Sequence, residues 1–295
     1  MAQSSDEGLP RRPWGGGLVA ALMALAGELG RGGRAVARRL AAGLARLRRA
    51  AATVGDGRRE ALIMAGAYGL YNAVRGLWGG TLDEGRANAD GLVELERSLG
   101  VHWEPALQRF FVDHGLAMPF WSALYLVSQI VALPLTLILV FLFARRAYAA
   151  LRGMALIAWC AGLVWYAVQP VAPPRLMADP LADTVSAQTP VDLESDFIQA
   201  FYNPVAAMPS LHVGLAVVVG WALWALTPWW PTRLLGLLYP VLIAISIVVT
   251  GNHWILDIAG GLAVVLPAAA IAAWLVRGGR RAGDIRPADP GPAPP

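Results

Sequence analysis

Six stretches of this chain are apolar over nearly the ~20 residues that a helix needs to cross a hydrocarbon layer. They run roughly over Ala61–Gly80, Phe120–Phe143, Met154–Val171, Pro209–Thr227, Leu234–Thr250 and Trp254–Val276. The first is the weakest, because Arg75 and several glycines interrupt it; the second and sixth are the clearest. None alternates with period two, which disfavours a membrane β-barrel. Composition agrees. Of 295 residues 57% are hydrophobic and only 15% are charged, against about 25% charged in a soluble domain. Disorder, a collagen and a disulfide scaffold are excluded, the last because Cys160 has no second cysteine to pair with. The expected fold is all-α: a polytopic membrane protein built as a six-transmembrane-helix bundle.

Charge placement gives an orientation. All 24 basic residues are arginine. With six spans both termini share one side, and nineteen of the 24 arginines fall there: in the N-terminal segment, the Ala144–Gly153 loop, Arg233 and the tail. The positive-inside rule then puts both termini in the cytoplasm. The opposite loops carry only Arg86, Arg97, Arg109 and Arg175 and are otherwise acidic. The lysine-free, Ala- and Arg-rich composition points to a bacterial plasma (inner) membrane. No cleavable signal peptide is expected, since the Arg-rich segment before the first span is too long.

Three regions follow: an Arg-rich cytoplasmic segment over 1–59, a six-span membrane domain over 60–276, and a disordered cytoplasmic tail over 277–295, proline-rich from Asp284. Val36, Leu40, Leu44 and Leu47 recur at helical spacing among arginines, as in a helix lying on an anionic inner leaflet. Nucleic acid is not an expected partner, because that segment lacks stacking aromatics. In the first outer loop Leu92, Leu95, Leu99, Trp103, Leu107 and Phe110 suggest an amphipathic helix at the outer interface. Trp78, Trp121, Trp229, Trp230 and Trp254 fall near span ends, as an interfacial belt requires.

Hydrophobicity does not explain a few polar residues. His102 and His114 read as solvated or interfacial. His212 stands in Ala-Ala-Met-Pro-Ser-Leu-His, where Pro209 can open a helix. The first turn of that helix offers free N–H donors to a phosphate, with Ser210 adding a hydroxyl; plain capping is the alternative. His253 and Asp257, in Thr-Gly-Asn-His-Trp-Ile-Leu-Asp, lie four apart on one helix face. An ionisable Asp257 inside a span is a functional candidate. It can hold one ring nitrogen of His253 and leave the other free to attack, or the pair can simply tie two helices together. Arg175 ends Gln-Pro-Val-Ala-Pro-Pro-Arg and is suited to bidentate phosphate binding; neutralising Asp179 or Asp183 at the surface is the alternative. The topology lets Arg175, His212, His253 and Asp257 converge in one outer-leaflet pocket suited to phosphoryl transfer.

At these residues the sequence resembles the type 2 phosphatidic acid phosphatase superfamily. The three ordered motifs correspond to Pro-Pro-Arg-Leu (173–176), Pro-Ser-Leu-His (209–212) and Ser246 through Asp257. Ala-Pro-Pro-Arg, Ala-Met-Pro-Ser-Leu-His and Gly-Asn-His-x-x-x-Asp look closer to the branch that includes fungal inositol phosphorylceramide synthases. The resemblance implies a six-helix catalytic bundle, His253 as the nucleophile that forms a phosphohistidine, and Asp257 orienting it. His212 would be general acid and then base, and Arg175 the phosphate ligand; from the residues themselves, Ser210 and Asn252 are further candidates to bind phosphate. No metal and no cofactor would be required. The chain departs from the pattern at Leu176, Leu211 and Ile247 and has no lysine, so two usual phosphate cations are missing; Arg75, Asn252 or Tyr166 are the candidates to compensate.

The leading expectation is a lipid phosphate phosphatase or phosphotransferase, metal-independent, acting at the outer leaflet on a lipid phosphate among membrane lipids. Transfer of a phospho-head group to a lipid hydroxyl, as in inositol phosphorylceramide synthesis, is the alternative. A transporter or scaffold using the His–Asp pair as a proton relay ranks lower, since no inverted repeat is found.

Overall fold

The computed structural model describes residues 30–77, 80–195 and 204–284. Residues 1–29, the interfacial placement of Trp78 and the expected disorder of 285–295 lie outside them, whereas 277–284, also expected to be disordered, are helical. The chain divides into two compact units, Met1–Leu47 and Arg48–Pro295. Helix α1 (Gly30–Ala52), which runs past that boundary, leaves Val36, Leu40, Leu44 and Leu47 exposed, with exposed Arg38, Arg39 and Arg46 among them.

The second unit contains α2 (Gly57–Leu77), α3 (Leu82–Leu99), α4 (Glu104–Asp113), α5 (Met118–Val127), α6 (Leu133–Phe143), α7 (Arg145–Val168), the short α8 (Thr184–Gln188), α9 (Leu211–Leu226), α10 (Trp230–Val249) and α11 (Ile255–Asp284). No strand forms among the described residues; an isolated parallel bridge joins Val171 and Ala206. Four helical stretches are long and apolar enough to cross a membrane: Met118–Phe143, Arg145–Val168, Trp230–Val249 and Ile255–Arg277. Two of the six expected spans fall short of that standard. Helix α9 is equally apolar but only 16 residues long. Helix α2 has the length, but Arg58, Arg59, Glu60, Asn72 and Arg75 lower its apolar character.

Two expected boundaries move for physical reasons. The loop expected over Ala144–Gly153 is helical, because α7 begins at Arg145 directly after α6. Arg152 is tolerated inside α7 because Glu60 faces it at 2.6 Å and the carbonyls of Ala51 and Thr53 accept from its other nitrogen. The single amphipathic helix expected in the loop before α5 is two helices. Gly100, at φ 69°, closes α3, because only glycine enters the left-handed region without cost. Leu95, Leu99, Trp103 and Phe110 stay exposed while Leu92 is buried. Helices α5 and α6 form one rod joined by a wider turn over Ser128–Ala132. Pro134 follows that turn, and its ring would crowd the Ile130 carbonyl in a regular helix.

Helix α9 is the centre of the bundle and contacts α6, α7, α10 and α11. Leu211, Leu215, Val218, Val219 and Ala222 pack with Leu151, Ala155 and Ala158 of α7 and Val265 and Ala268 of α11. Large apolar residues on the outward faces stay uncovered, among them Ile130, Ile138, Phe143, Leu237, Val241 and Leu266. Contiguous apolar exposure of this kind is what a lipid environment covers.

The closest helix pair is α9 with α10, where Gly220 and Gly236 face each other. A side chain at either would meet the other's carbonyl oxygen, and small residues at such crossings let backbones approach in membranes. Gly220→Ala is expected to destabilise the bundle by about 1–3 kcal/mol through overpacking. Unfolding in detergent measures it, and an unchanged transition contradicts the close packing.

Candidate active site

The site is assembled where the segment after α7, the start of α9 and the α10–α11 junction meet. Val171 N–H donates to the Val205 carbonyl and Ala207 N–H to the Val171 carbonyl, so the first two segments lie side by side. Trp254 Nε1 then donates to the Ala172 carbonyl at 2.8 Å, bringing in the third. Gly261 on α11 lets the Ser210 carbonyl seat against the helix where a Cβ would collide.

His253 lies on the turn between α10 and α11 and is 4% exposed. Its Nδ1 is 3.0 Å from Asp257 Oδ2, and the same oxygen accepts the Trp254 N–H at 2.9 Å. A carboxylate only accepts, so Nδ1 carries the proton and Nε2 is left for chemistry. The His212 ring stands 5.5 Å from the His253 ring, edge to face, and stacks on Tyr125 at 4.2 Å. Both imidazoles line a cavity of about 400 Å³, which Arg75, Tyr71, Asn72, Gln129 and Tyr166 also line. Tyr166 donates to the Pro209 carbonyl at 2.8 Å, steadying the turn before α9.

The expected residues take different places around this centre. His212, His253 and Asp257 converge. Ser210 is the N-cap of α9 and fully buried, its hydroxyl accepting the Val213 N–H at 3.5 Å. Pro209 therefore stands one residue ahead of the cap rather than inside the helix. Arg175 is buried, not a surface arginine paired with Asp179 or Asp183; Asp183 instead caps α8. Its Nε donates to Asn252 Oδ1 at 3.0 Å, its backbone N–H to the Gly251 carbonyl at 3.0 Å, and Nη1 is 3.6 Å from exposed Glu194. Asn252 is in turn held by Thr250 through its carbonyl and hydroxyl. Arg175 does not line the two-histidine cavity; Arg75 does.

Sequence reasoning passed over Glu96 and Glu104, which are fully buried. Glu104 Oε1 accepts the Ile255 N–H at 2.7 Å and Glu96 Oε1 the Leu256 N–H at 2.8 Å. With Asp257 on the Trp254 N–H, three carboxylates occupy successive free donors at the start of α11. Burial, with Glu104 and Asp257 nearby, pushes the Glu96 carboxyl up to about 8. The available signal was its position: Glu96 falls in the stripe with Leu92 and Leu99, where a charge is out of pattern. His102 also departs from the solvated reading. It is half-buried, 3.4 Å from Glu96 Oε2 and 3.1 Å from Glu104 Oε2, and its ring stacks near Trp254 at 6.2 Å. His114 is exposed, as expected.

Apolar helices surround two neighbouring histidines, one of them oriented by a carboxylate. A family model described as the PAP2 superfamily matches residues 90–271. The match covers well over half of the chain, and the chain belongs to that superfamily, the type 2 phosphatidic acid phosphatase superfamily, whose members are phosphatases and phosphotransferases. No curated protein and no solved structure matches it.

The turn holding His253 depends on Gly251, at φ 74°, where a Cβ would lie 2.8 Å from the Ala182 carbonyl oxygen. Gly251→Ala should cost about 1–3 kcal/mol of stability. Thermal unfolding in detergent reads this, and a midpoint equal to the parent's refutes the assignment.

Proposed function

We propose that the protein is an integral membrane lipid phosphate phosphatase or phosphotransferase working through a phosphohistidine on His253. The observation that carries the reading is the His253–Asp257 hydrogen bond with His212 beside it in one cavity. Nε2 of His253 attacks phosphorus, the ester P–O bond breaks, and protonated His212 gives its proton to the leaving oxygen. His212 then takes a proton from water, or from a lipid hydroxyl. The resulting oxygen attacks the phosphohistidine and frees His253. Asp257 holds the Nδ1 proton throughout and stabilises the imidazolium that develops.

Two cations serve the phosphate in this reading. Arg75 lines the cavity. Arg175 meets the exposed carboxylate of Glu194, an anion that a substrate phosphate can replace, and Asn252 fixes its guanidinium. Arg75 thereby stands in for a cation missing from the usual motif. Ser210 contributes through the start of α9 rather than through its hydroxyl.

An amphiphilic substrate is supported by a second cavity of about 490 Å³ beside the first. It shares Tyr68, Gln129 and Ile130 with it and continues along Leu133, Leu137, Ile138 and Phe141. That wall is almost wholly apolar, so a head group at the histidines and a chain along α6 fit the pair. The same room, with the departures at Leu176, Leu211 and Ile247, favours the second reading, in which a lipid hydroxyl replaces water as acceptor, as in inositol phosphorylceramide synthesis.

The wider setting is part of the proposal: six spans including α2 and α9, both termini cytoplasmic, the site opening outward from a bacterial inner membrane. Residues 60–276 form the catalytic domain between the Arg-rich segment 1–59 and the tail 277–295. The partners are the lipid phosphate and membrane lipids, without nucleic acid, metal or cofactor in the chemical steps.

Purified protein is to be assayed on phosphatidate and, with a lipid alcohol present, on phosphatidylinositol. His253→Ala and His212→Ala are expected to lower turnover at least about a thousandfold. Free phosphate marks hydrolysis and a new phospholipid marks transfer. Full turnover in both variants defeats the mechanism.

A further inference from the structure

Outside the two-histidine cavity, one cluster brings together groups that general physical chemistry does not leave side by side without reason. Glu96, His102 and Glu104 present one ligand atom each, and all three atoms lie within 4.8 Å of one another. His102 Nδ1 is 3.4 Å from Glu96 Oε2 and 3.1 Å from Glu104 Oε2. Ligands spaced around an ion at bonds of ~2.0–2.2 Å stand about 3.0–3.5 Å apart, so this spacing is already that of a coordination edge.

The outer oxygens are anchored. The Oε1 of each carboxylate accepts a backbone N–H of α11, at 2.7 Å for Glu104 and 2.8 Å for Glu96. Its other oxygen is left directed at the same point as the imidazole. Hydrogen-bonded outer oxygens with converging inner ones are how ligating carboxylates are held. Glu104 Oε2 is sealed from solvent and accepts no hydrogen bond, although His102 Nδ1 is near. One Nδ1 proton cannot satisfy two carboxylate oxygens, and an unpaired buried carboxylate oxygen is costly. The His102 side chain is 18% exposed, which gives an ion a way in.

We propose that Glu96, His102 and Glu104 form a divalent metal site that clamps the α3–α4 corner onto the start of α11. Two carboxylates and one imidazole suit zinc first among divalent ions, with the fourth position left to water on the His102 side. The ion is structural: it ties the corner in place and takes no part in the chemistry at His253. The inference is independent of the proposed reaction, since it rests on other residues and its test does not use turnover.

The test uses the untagged full chain purified in detergent, stripped with chelator, given zinc chloride and passed through a desalting column. Metal content and thermal unfolding are then measured. The wild type is expected to retain one equivalent of zinc and to melt higher with zinc than without. X-ray absorption at the zinc edge should show only nitrogen and oxygen ligands. His102→Ala and Glu104→Gln are expected to weaken retention at least about tenfold, while His114→Ala, at an exposed histidine, keeps it. Should Glu104→Gln fail to fold, His102→Ala and the wild type still decide. Wild-type protein that retains no zinc, or a His102→Ala variant that retains as much as the wild type, overturns the proposal.

Discussion

The first turn of α11 begins with backbone N–H groups that have no partner inside the helix, in a partly buried place. Three carboxylates from three parts of the chain take three of them: Asp257 from the helix itself, Glu104 from α4 and Glu96 from α3. Everything at this end of the bundle is positioned by that solution. Asp257 is held by the Trp254 N–H, so its Oδ2 is fixed where Nδ1 of His253 can donate to it. The α3–α4 corner is drawn onto the helix, and Trp254 fills the space beneath it against Ala172, Val205 and Ala207. Carboxyl oxygens at a helix N-terminus are favourable partners for its free N–H groups.

That dependence marks what a linear reading can and cannot reach. The long apolar segments were legible because membrane crossing imposes length and composition on consecutive residues. His212, His253 and Asp257 were legible because their spacing places them at helix starts. Glu96 and Glu104 were not, since their partners are more than 150 residues away in sequence and a carboxylate in a half-polar helix looks like solvated surface. Arg152 was misread as a loop residue for the same reason: its partner Glu60 is 92 residues distant. The first outer-loop stripe failed differently. Its apolar periodicity is real, but Gly100 stops one helix and Pro105 opens another, so a continuous pattern became a corner.

Arginine placement links these scales. Of the candidates to replace a missing phosphate cation, Asn252 turns out to be the support of Arg175, Tyr166 steadies the Pro209 turn, and Arg75 alone of the three brings charge into the cavity. Arg75 is also what weakens α2 as an apolar segment. The helix least suited by composition to a hydrocarbon layer is thus the one that places a guanidinium beside the imidazoles. A polar residue that spoils a span is costly, and it persists where the bundle interior, rather than lipid, receives it.

The same trade explains the position of α9. Sixteen residues make it short for a crossing helix, yet its contacts with four neighbours bury most of its surface. Its start, with Ser210 and His212, is seated against α11 by the Ser210 N–H, which donates to the Asp257 carbonyl at 3.0 Å. The cavity at the histidines is therefore lined from several elements, with Arg75 from α2, Tyr125 from α5, Tyr166 from α7 and His212 from α9. That cavity continues along the apolar residues Leu133, Leu137 and Phe141 of α6 through a second one that shares Gln129 and Ile130 with it. Burial of His253 and Asp257 strengthens their interaction. An apolar flank admits the part of a lipid that water does not.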